Sequence, residues 1–209
     1  MRLVLASTSP ARLVTLRRAG VAPEVIVSHV DEESVAIDDT RALALELARL
    51  KAEAVAAGLP PGDDVIVVGC DTVLDLEGRP RGKPGTPEAA VRLWRRLRST
   101  SAVLMTGHHV IVRVGGEQQS ATRLAETVVH FADLSTDEIE AYAATGEPEK
   151  VAGGFTIDGI GGPFITAIEG DPHNVVGISL PLLRMMLADL GIAWHTLWAP
   201  GTVRDAPQP

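Results

Sequence analysis

The sequence predicts an α/β fold built around one mixed β-sheet. Short runs rich in Val, Ile and Leu alternate along the chain with segments of helical periodicity, which is the order of elements in α/β proteins. Residues 65–68 are apolar throughout, the pattern of a strand covered on both faces. Residues 102–114 and 123–131 predict two long strands joined at Gly115-Gly116, so part of the sheet is expected to be antiparallel.

The first elements are a buried strand over residues 3–6 and a helix that follows it directly. Ser9 suits an N-cap, and Pro10 suits the first helical position because its missing N–H needs no partner there. Gly20 is suited to end this helix. A second strand is predicted over residues 24–28.

A longer helix is predicted over residues 40–57, ending at Gly58. Its apolar stripe is expected to consist of Leu43, Leu47, Leu50 and Ala54, which follow each other at helical spacing. Lys51 lies at the edge of this stripe, and a lysine taken by itself is more often solvated than buried.

The remaining elements carry clear local patterns. Glu77-Gly78 is typical of a hairpin tip, and residues 86–98 predict a helix. A further helix is expected from Ser135, where the sequence has the capping-box pattern. Residues 149–170 are too rich in glycine for regular structure throughout, and residues 181–190 predict a final helix.

The composition fits one domain, expected over residues 1–198 with a disordered tail over 199–209. The chain has 27 acidic and 19 basic side chains, a net charge of -8, which argues against a nucleic acid polymer as partner. A small anionic ligand, bound together with a divalent cation, is still compatible with this net charge. Cys70 is the single cysteine, which excludes an internal disulfide framework. With no apolar stretch of membrane length, we expect a cytoplasmic protein without membrane contact.

The junction between the first strand and helix is suited to bind an anion. Unpaired N–H groups at a helix start attract phosphate, and the hydroxyl groups of Ser7, Thr8 and Ser9 add donors. Arg12 could add a planar fork of charged donors. The alternative is that Ser9 only caps the helix and Arg12 is a solvated side chain.

Asp71 follows the apolar run directly and is expected at a strand end, where ligands of α/β proteins usually bind. An ionised carboxylate there could hold Mg²⁺ or orient a water molecule, whereas the alternative is a turn aspartate. Lys83 could act as a point charge toward phosphate, although Gly82-Lys83-Pro84 lacks the spacing of a P-loop and excludes that class of kinase. Lys150, taken by itself, is interpreted as solvated.

Other chemistries find little support in the sequence. The six histidines lack the spacing of a zinc site and are interpreted as surface or strand side chains. The chain has no nucleophile elbow, and its glycines lack the order of a dinucleotide-binding fold. A buried, inert thiol is expected at Cys70.

Seven segments, taken in order, resemble the Maf family of nucleotide pyrophosphatases associated with septum formation. They are LASTSPAR, VDEE, LARLKAEAV, GCDTVLDLEGRPRGKP, MTGHHV, GEPEKVAGGF and NVVGISLP. The resemblance covers residues 2–190. It implies a house-cleaning enzyme that cleaves nucleoside triphosphates to nucleoside monophosphate and diphosphate with Mg²⁺ or Mn²⁺. It also implies a strongly curved mixed sheet in two lobes, similar to inosine triphosphate pyrophosphatases, and a homodimer.

The resemblance assigns roles to individual residues. The family's catalytic aspartate matches Asp71, and its other acidic residue matches Glu32, so we expect these two carboxylates to hold the metal. Matches to the family's phosphate-binding residues are Ser7, Arg12, Lys51, Lys83 and Lys150. Ser9, Thr72 and Asp158 complete the expected substrate-binding set.

The chain departs from the family pattern at two places. The family often has a second arginine in the opening loop where this chain has Ala11, and the dTTP/UTP subgroup has glutamine where this chain has Asp158. An ionised aspartate accepts hydrogen bonds only, whereas a glutamine amide both donates and accepts. The order Asp71-Thr72-Val73 resembles that of the dTTP/UTP subgroup, so dTTP, UTP or modified pyrimidine nucleotides are still the expected substrates.

Two further functions compete with the pyrophosphatase. A nucleotide-binding regulator of cell division without turnover would not need both Asp71 and Glu32. A sugar nucleotidyltransferase would be expected to have a glycine-rich opening loop, which this sequence lacks.

Overall fold

The computed structural model describes residues 1–200 of the 209-residue chain. This part contains the strands β1 (Arg2–Ala6), β2 (Glu24–Val25), β3 (Val65–Leu76), β4 (Arg79–Arg81), β5 (Ser101–Val114), β6 (Glu117–Phe131) and β7 (Ile165–Gly170). Its α-helices are α1 (Pro10–Arg18), α2 (Thr40–Ala57), α3 (Pro87–Leu97), α4 (Thr136–Ala144), α5 (Pro172–Val176) and α6 (Leu180–Asp189). Short 3-10 turns lie at Glu32–Ser34, Pro148–Lys150, Ala152–Gly154, Gly162–Phe164 and Trp194–Leu197. Most of the expected tail, residues 201–209, lies outside the described residues.

The strands form one mixed sheet in the order β2-β1-β3-β5-β6-β7, with β4 paired to β3. β1 is parallel to both β2 and β3, whereas β5, β6 and β7 continue the sheet in antiparallel pairs. The predicted α/β class, the mixed sheet and its antiparallel part are therefore confirmed. Over residues 1–200, no helix is both long and apolar enough to cross a membrane.

Two hydrophobic clusters lie on one face of the sheet, at opposite ends of the long strands. The first packs α1 and α6 on the start of β3, and includes Leu16, Ile66, Val68, Val110 and Leu183. The second packs α3 and α4 on the end of β3, and includes Leu74, Trp94, Leu97, Leu104 and Ile139. Because side chains alternate along a strand, the intervening positions of β3 face α2 on the opposite side. The third cluster there includes Val4, Ala52, Val55, Val67 and Ile111. We call the part of the protein around the first cluster the first lobe and the part around the second cluster the second lobe. The two lobes share β3 and β5.

Helix α2 packs directly against the backbone of the sheet. A Cβ atom added to Gly107 would lie 2.1 Å from the carbonyl oxygen of Ala44, and one added to Gly69 would lie 2.3 Å from that of Ala48. Only glycine allows this approach, because the helix would otherwise have to move outward.

The predicted bounds of α2 are confirmed, but of its predicted apolar face only Leu47 is buried. The stripe is only partly buried at Leu43 and Leu50 and is exposed at Ala54. The buried face instead consists of Thr40, Ala44, Leu47, Ala48, Lys51, Ala52, Val55 and Ala56. Alanines lie on this face where α2 meets the glycines of β3 and β5, because only small side chains allow that short distance.

Three other predictions need correction. The second strand ends at Val25 and not at residue 28. Its partner β1 continues for only one residue beyond Leu5, which is paired with Val25. The apolar run 65–68 is only the first third of β3, which continues to Leu76. Asp71 therefore lies within a strand and not at a strand end. Helix α5 has no predicted counterpart because it spans only five residues.

Local turn and capping predictions are confirmed. Ser9 caps α1, and Ser135 and Glu138 form the capping box of α4. The hairpin tip at Glu77 and Gly78 has positive φ values of 58° and 72°, as a tight hairpin turn requires.

Candidate active site

The middle of β3 has an open edge. Pairing with β1 ends at Gly69, and pairing with β4 begins at Leu74. Between these two positions β3 is paired only with β5, on its other edge. Asp71 and Thr72 lie in this gap, next to the loop that joins β1 to α1. The gap is the place where buried polar side chains lie beside an unpaired strand edge.

Arg12 connects the opening loop to this gap. Its guanidinium donates from Nη1 to Ser7 Oγ at 2.9 Å, from Nη2 to Thr72 Oγ1 at 3.0 Å and from Nε to the Gly177 carbonyl at 2.7 Å. The side chain is buried, so the alternative of a solvated Arg12 is wrong. Ser9 caps α1 and also donates its backbone N–H to Ser7 Oγ at 3.1 Å.

Lys51 connects two carboxylates on the other side of the gap. Its Nζ lies 2.5 Å from Asp71 Oδ1 and 2.7 Å from Glu32 Oε1. Lys51 and Asp71 are both buried, at 7% exposure each, whereas Glu32 is exposed on its 3-10 turn. The interpretation of Lys51 as a solvated side chain is therefore wrong. The reason is the close packing of α2, which carries the lysine to the sheet.

Burial raises the pKa of the Asp71 carboxyl above its usual value, and the nearby Glu32 charge adds to this effect. The positive charges of Lys51 and Arg12 act in the opposite direction. A carboxylate with a raised pKa is a better proton acceptor than a solvated one. Burial likewise raises the pKa of the Cys70 thiol to about 11, and the expected burial of this thiol is confirmed.

The side chains of Lys51 and Arg12 approach the gap from opposite faces of the sheet. Asp71 and Thr72 are consecutive residues of β3, so their side chains point to opposite faces. Lys51 comes from α2 on one face, and Arg12 comes from α1 on the other. An anion at the open edge can therefore contact a cation on each side.

The other predicted site residues lie in the second lobe. Residues 82–85 and 149–153 run side by side, because Gly153 N–H donates to the Gly82 carbonyl and Gly85 N–H donates to that of Glu149. Lys83 and Lys150 lie on these neighbouring segments, and both are exposed. Neither forms an ion pair with any residue in the described range 1–200. Asp158 is exposed in a loop and forms no hydrogen bond or ion pair with Asp71 or Lys51.

Several polar residues near the gap are not indicated by the sequence as site residues. The sequence predicts a surface or strand position for His108, and the structure places it on β5, buried and hydrogen-bonded at both ring nitrogens. Thr106, Thr127 and Asn174 form a buried polar band between the two hydrophobic clusters. The only sequence signal for this band is a threonine within each of two predicted strands, since Asn174 lies on the short helix α5.

Glu147 fixes the loop that carries Asp158. Its carboxylate accepts hydrogen bonds from Tyr142 Oη at 2.8 Å and Thr156 Oγ1 at 2.7 Å. It also accepts from the backbone N–H groups of Ile160 at 3.0 Å and Gly161 at 2.9 Å. Partial burial acts to raise the pKa of Glu147, but these hydrogen bonds outweigh it and lower the pKa below its usual value.

We expect Glu147→Gln to loosen this loop without unfolding the protein. An amide offers one accepting oxygen where the carboxylate offers two, so at least one of the loop's donors loses its partner. The expected loss of stability is about 1–3 kcal/mol. Hydrogen exchange at the amides of Ile160 and Gly161 should accelerate by about tenfold or more. The matched control is Glu149→Gln, two residues along; equal exchange in both variants would contradict the anchoring role.

The fold and the site define an α/β protein with buried basic and acidic side chains at an open strand edge. A family model described as Maf-like protein matches residues 2–190, and the chain belongs to the Maf family. The chain is 55% identical over 199 residues to a nucleoside triphosphate pyrophosphatase of Cutibacterium acnes, covering 93% of each chain. It is 53% identical to one of Salinispora tropica, covering 97% of this chain and 89% of the relative. It is 54% identical to one of Streptomyces coelicolor, covering 95% of each.

Among solved structures, a match is found to the Ham1 protein of Staphylococcus aureus. The two chains are 18% identical, and the match covers 64% of this chain and 73% of that one with a TM-score of 0.42.

Proposed function

We propose that this protein is a nucleoside triphosphate pyrophosphatase that releases nucleoside monophosphate and diphosphate. The observation that carries the proposal is the buried pair of Lys51 and Asp71 at the open edge of β3, opposite Arg12. A triphosphate brings several negative charges, which a hydrolase must neutralise while it orients a water molecule. Relatives in the same family that are 55% and 53% identical to this chain are named for this activity.

The charged side chains divide the work of binding. Arg12 uses three of its five N–H groups within the protein and keeps one on each terminal nitrogen, a fork suited to two phosphate oxygens. Lys51 adds a charge from the α2 face. Lys83 and Lys150 are exposed cations without partners among residues 1–200, so they are free to contact the outer phosphates. Ser7, Ser9 and Thr72 complete the expected substrate-binding set.

Asp71 is the general base in this proposal. One of its oxygens contacts Lys51, which leaves the other for a water molecule. The water oxygen forms a bond to a phosphorus atom of the α–β anhydride, and the bridging P–O bond breaks. The bonding electron pair leaves with the departing phosphate group, and the water proton passes to the Asp71 carboxylate.

The donor set at Glu32 and Asp71 fits a divalent cation. Their oxygens converge on one ammonium group, so the two carboxylates already share one cation. Residues 1–200 contain no group of three or more metal-binding side chains, and Mg²⁺ typically takes only one or two carboxylates together with phosphate oxygens and water. We propose that Glu32 and Asp71 hold Mg²⁺ or Mn²⁺, which would neutralise charge on the departing phosphate group.

The substrate preference and the setting of the enzyme are proposed on narrower grounds. We propose dTTP, UTP or modified pyrimidine nucleotides as substrates, with Asp158 near the base, because Thr72 follows Asp71 as in that subgroup. We propose a house-cleaning role and a homodimer from the family resemblance, and a cytoplasmic location from the single cysteine and the lack of an apolar stretch of membrane length. Analytical ultracentrifugation at several protein concentrations tests the dimer.

The test is product analysis on a panel of standard and modified nucleoside triphosphates. We expect phosphorus NMR to show monophosphate and diphosphate in equal amounts with Mg²⁺ or Mn²⁺. Chelation of the metal should abolish the reaction, and its return should restore it. Nucleoside diphosphate with inorganic phosphate would contradict the proposed bond cleavage. A silent panel with nucleotide binding retained would instead favour the non-catalytic regulator.

A further inference from the structure

Arg12 is one member of a closed ring that consists of hydrogen bonds joined by short stretches of backbone. Its Nη2 donates to Thr72 Oγ1, and the Thr72 hydroxyl lies 3.0 Å from Thr106 Oγ1. Thr106 Oγ1 donates to the Asn174 carbonyl at 3.3 Å, so the Thr72 hydroxyl is the donor in the pair of threonines. On the other side, Arg12 Nε donates to the Gly177 carbonyl. The ring is completed by His108, which joins β5 to the segment after α5.

The segment from Gly177 to Ser179 lies against the guanidinium. Gly177 has a φ of 109°, and a Cβ atom there would lie 3.2 Å from Arg12 Nε. Only a residue without a side chain brings its carbonyl oxygen this close in that conformation. Ser179 follows two residues later as the N-cap of α6. The orientation of Arg12 therefore depends on where this segment is held.

His108 holds that segment from the sheet. The Ser179 backbone N–H donates to His108 Nε2 at 2.9 Å, so Nε2 carries no proton. His108 Nδ1 then carries the proton and donates to the Thr106 carbonyl at 3.0 Å. Burial lowers the pKa of His108 to about 4, and the charge of Arg12 contributes to this shift. One neutral tautomer is thus fixed by both contacts.

Packing alone does not account for a histidine at this position. The side chain is fully buried, and the neighbouring residue on the same face of β5, Val110, belongs to the first hydrophobic cluster. A leucine or valine would fill such a position without the cost of burying two ring nitrogens. The imidazole instead provides the acceptor that the Ser179 N–H requires.

We propose that His108 is a positioning residue for nucleotide binding, which holds the Gly177–Ser179 segment so that Arg12 presents its two free N–H groups to phosphate. The inference rests on the proposed function, because it assigns a task to the same anion site. His108 touches no substrate itself. It acts through the Gly177 carbonyl on Arg12 Nε.

The test compares His108→Leu with His108→Gln. Leucine fills the space without an acceptor, whereas the glutamine Oε1 can accept from Ser179 N–H near the position of Nε2. We expect His108→Leu to raise KM for the nucleotide and the calorimetric Kd for diphosphate by about tenfold, with kcat changed less than about threefold, because Arg12 binds ground and transition states alike. His108→Gln should recover most of both losses.

The matched control is His109→Leu. His109 is also buried, but it points to the opposite face of β5 and contacts Thr122, outside the ring. We expect its Kd for diphosphate to stay within about twofold of the unchanged protein. If His108→Leu does not fold, His108→Asn replaces it, because its shorter side chain lacks the reach to Ser179.

A structural role without positioning would give a different pattern. His108→Leu would then lower the midpoint of urea unfolding while KM and the Kd for diphosphate stayed unchanged, and that result would overturn the proposal. Failure of His108→Gln to recover binding despite normal stability would also overturn it. The calorimetric measurement with diphosphate needs no turnover, so it separates failure of this inference from failure of the proposed hydrolysis.

Discussion

Asp71→Asn is expected to lower kcat for nucleoside triphosphate hydrolysis by about 10²-fold or more. The asparagine amide has nearly the same shape, but it has no basic oxygen to take the proton of the attacking water. It also removes one of the two carboxylates proposed to hold the metal. Because Asn Oδ1 can still accept from Lys51, the buried ammonium keeps a hydrogen bond and the fold should persist. Steady-state kinetics and thermal unfolding followed by circular dichroism measure the two effects.

Asp75→Asn is the matched control for this variant. Asp75 lies on the same strand and the same face of the sheet, but its carboxylate accepts from Thr40 Oγ1 and the Gly78 N–H and does not contact Lys51. We expect its kcat to stay within about threefold of the unchanged enzyme. Near-normal turnover in Asp71→Asn would remove Asp71 from the catalytic role. An equal loss in both variants would show a general effect of charge on the strand.

Gly107→Ala is expected to destabilise the protein by about 3 kcal/mol, at the upper end of the usual cost of overpacking. The added methyl group would meet the backbone of α2 at Ala44, which has no flexible end that could move aside. The helix must shift outward, and Lys51 moves with it, so hydrolysis should fall as well. Chemical unfolding monitored by tryptophan fluorescence gives the change in free energy.

Gly62→Ala provides the matched control for this substitution. No heavy atom lies within 4 Å of a Cβ atom placed there, and the backbone of Gly62 is not left-handed. We expect a change within about 0.5 kcal/mol. A similarly small change in Gly107→Ala would mean that α2 does not depend on close contact with the sheet.

The parts of the fold that local sequence could predict are those with local causes. The bounds of α2, the Ser9 cap, the capping box of α4 and the hairpin tip each depend on residues within a few positions of each other. The face that α2 buries depends on Gly69 and Gly107, which are distant in sequence. A stripe of leucines is the stronger local pattern, but backbone contact with two glycines favours the alanine face.

The same distinction applies to the candidate site. The sequence indicates Asp71 and Arg12 as candidate site residues, and the structure brings both to the gap in β3. The burial of Lys51 could not be predicted, because it requires the packing of α2 against the sheet. The neutral state of His108 could not be predicted either, because its partner Ser179 belongs to a distant segment. The roles assigned to Lys83, Lys150 and Asp158 stay predictions.

The placement of Asp71 and Thr72 on opposite faces of one strand limits how this family can change in length. If one residue were removed between Val65 and Asp71 and the start of β3 kept its pairing, the residues that follow would change faces. Asp71 would then turn toward α1 and Thr72 toward Lys51. Inserting residues in the loop before Val65 would leave both unchanged, since that loop precedes the strand. Insertions and deletions should therefore be tolerated in the connections around the site, while the number of residues between Val65 and Asp71 stays constant.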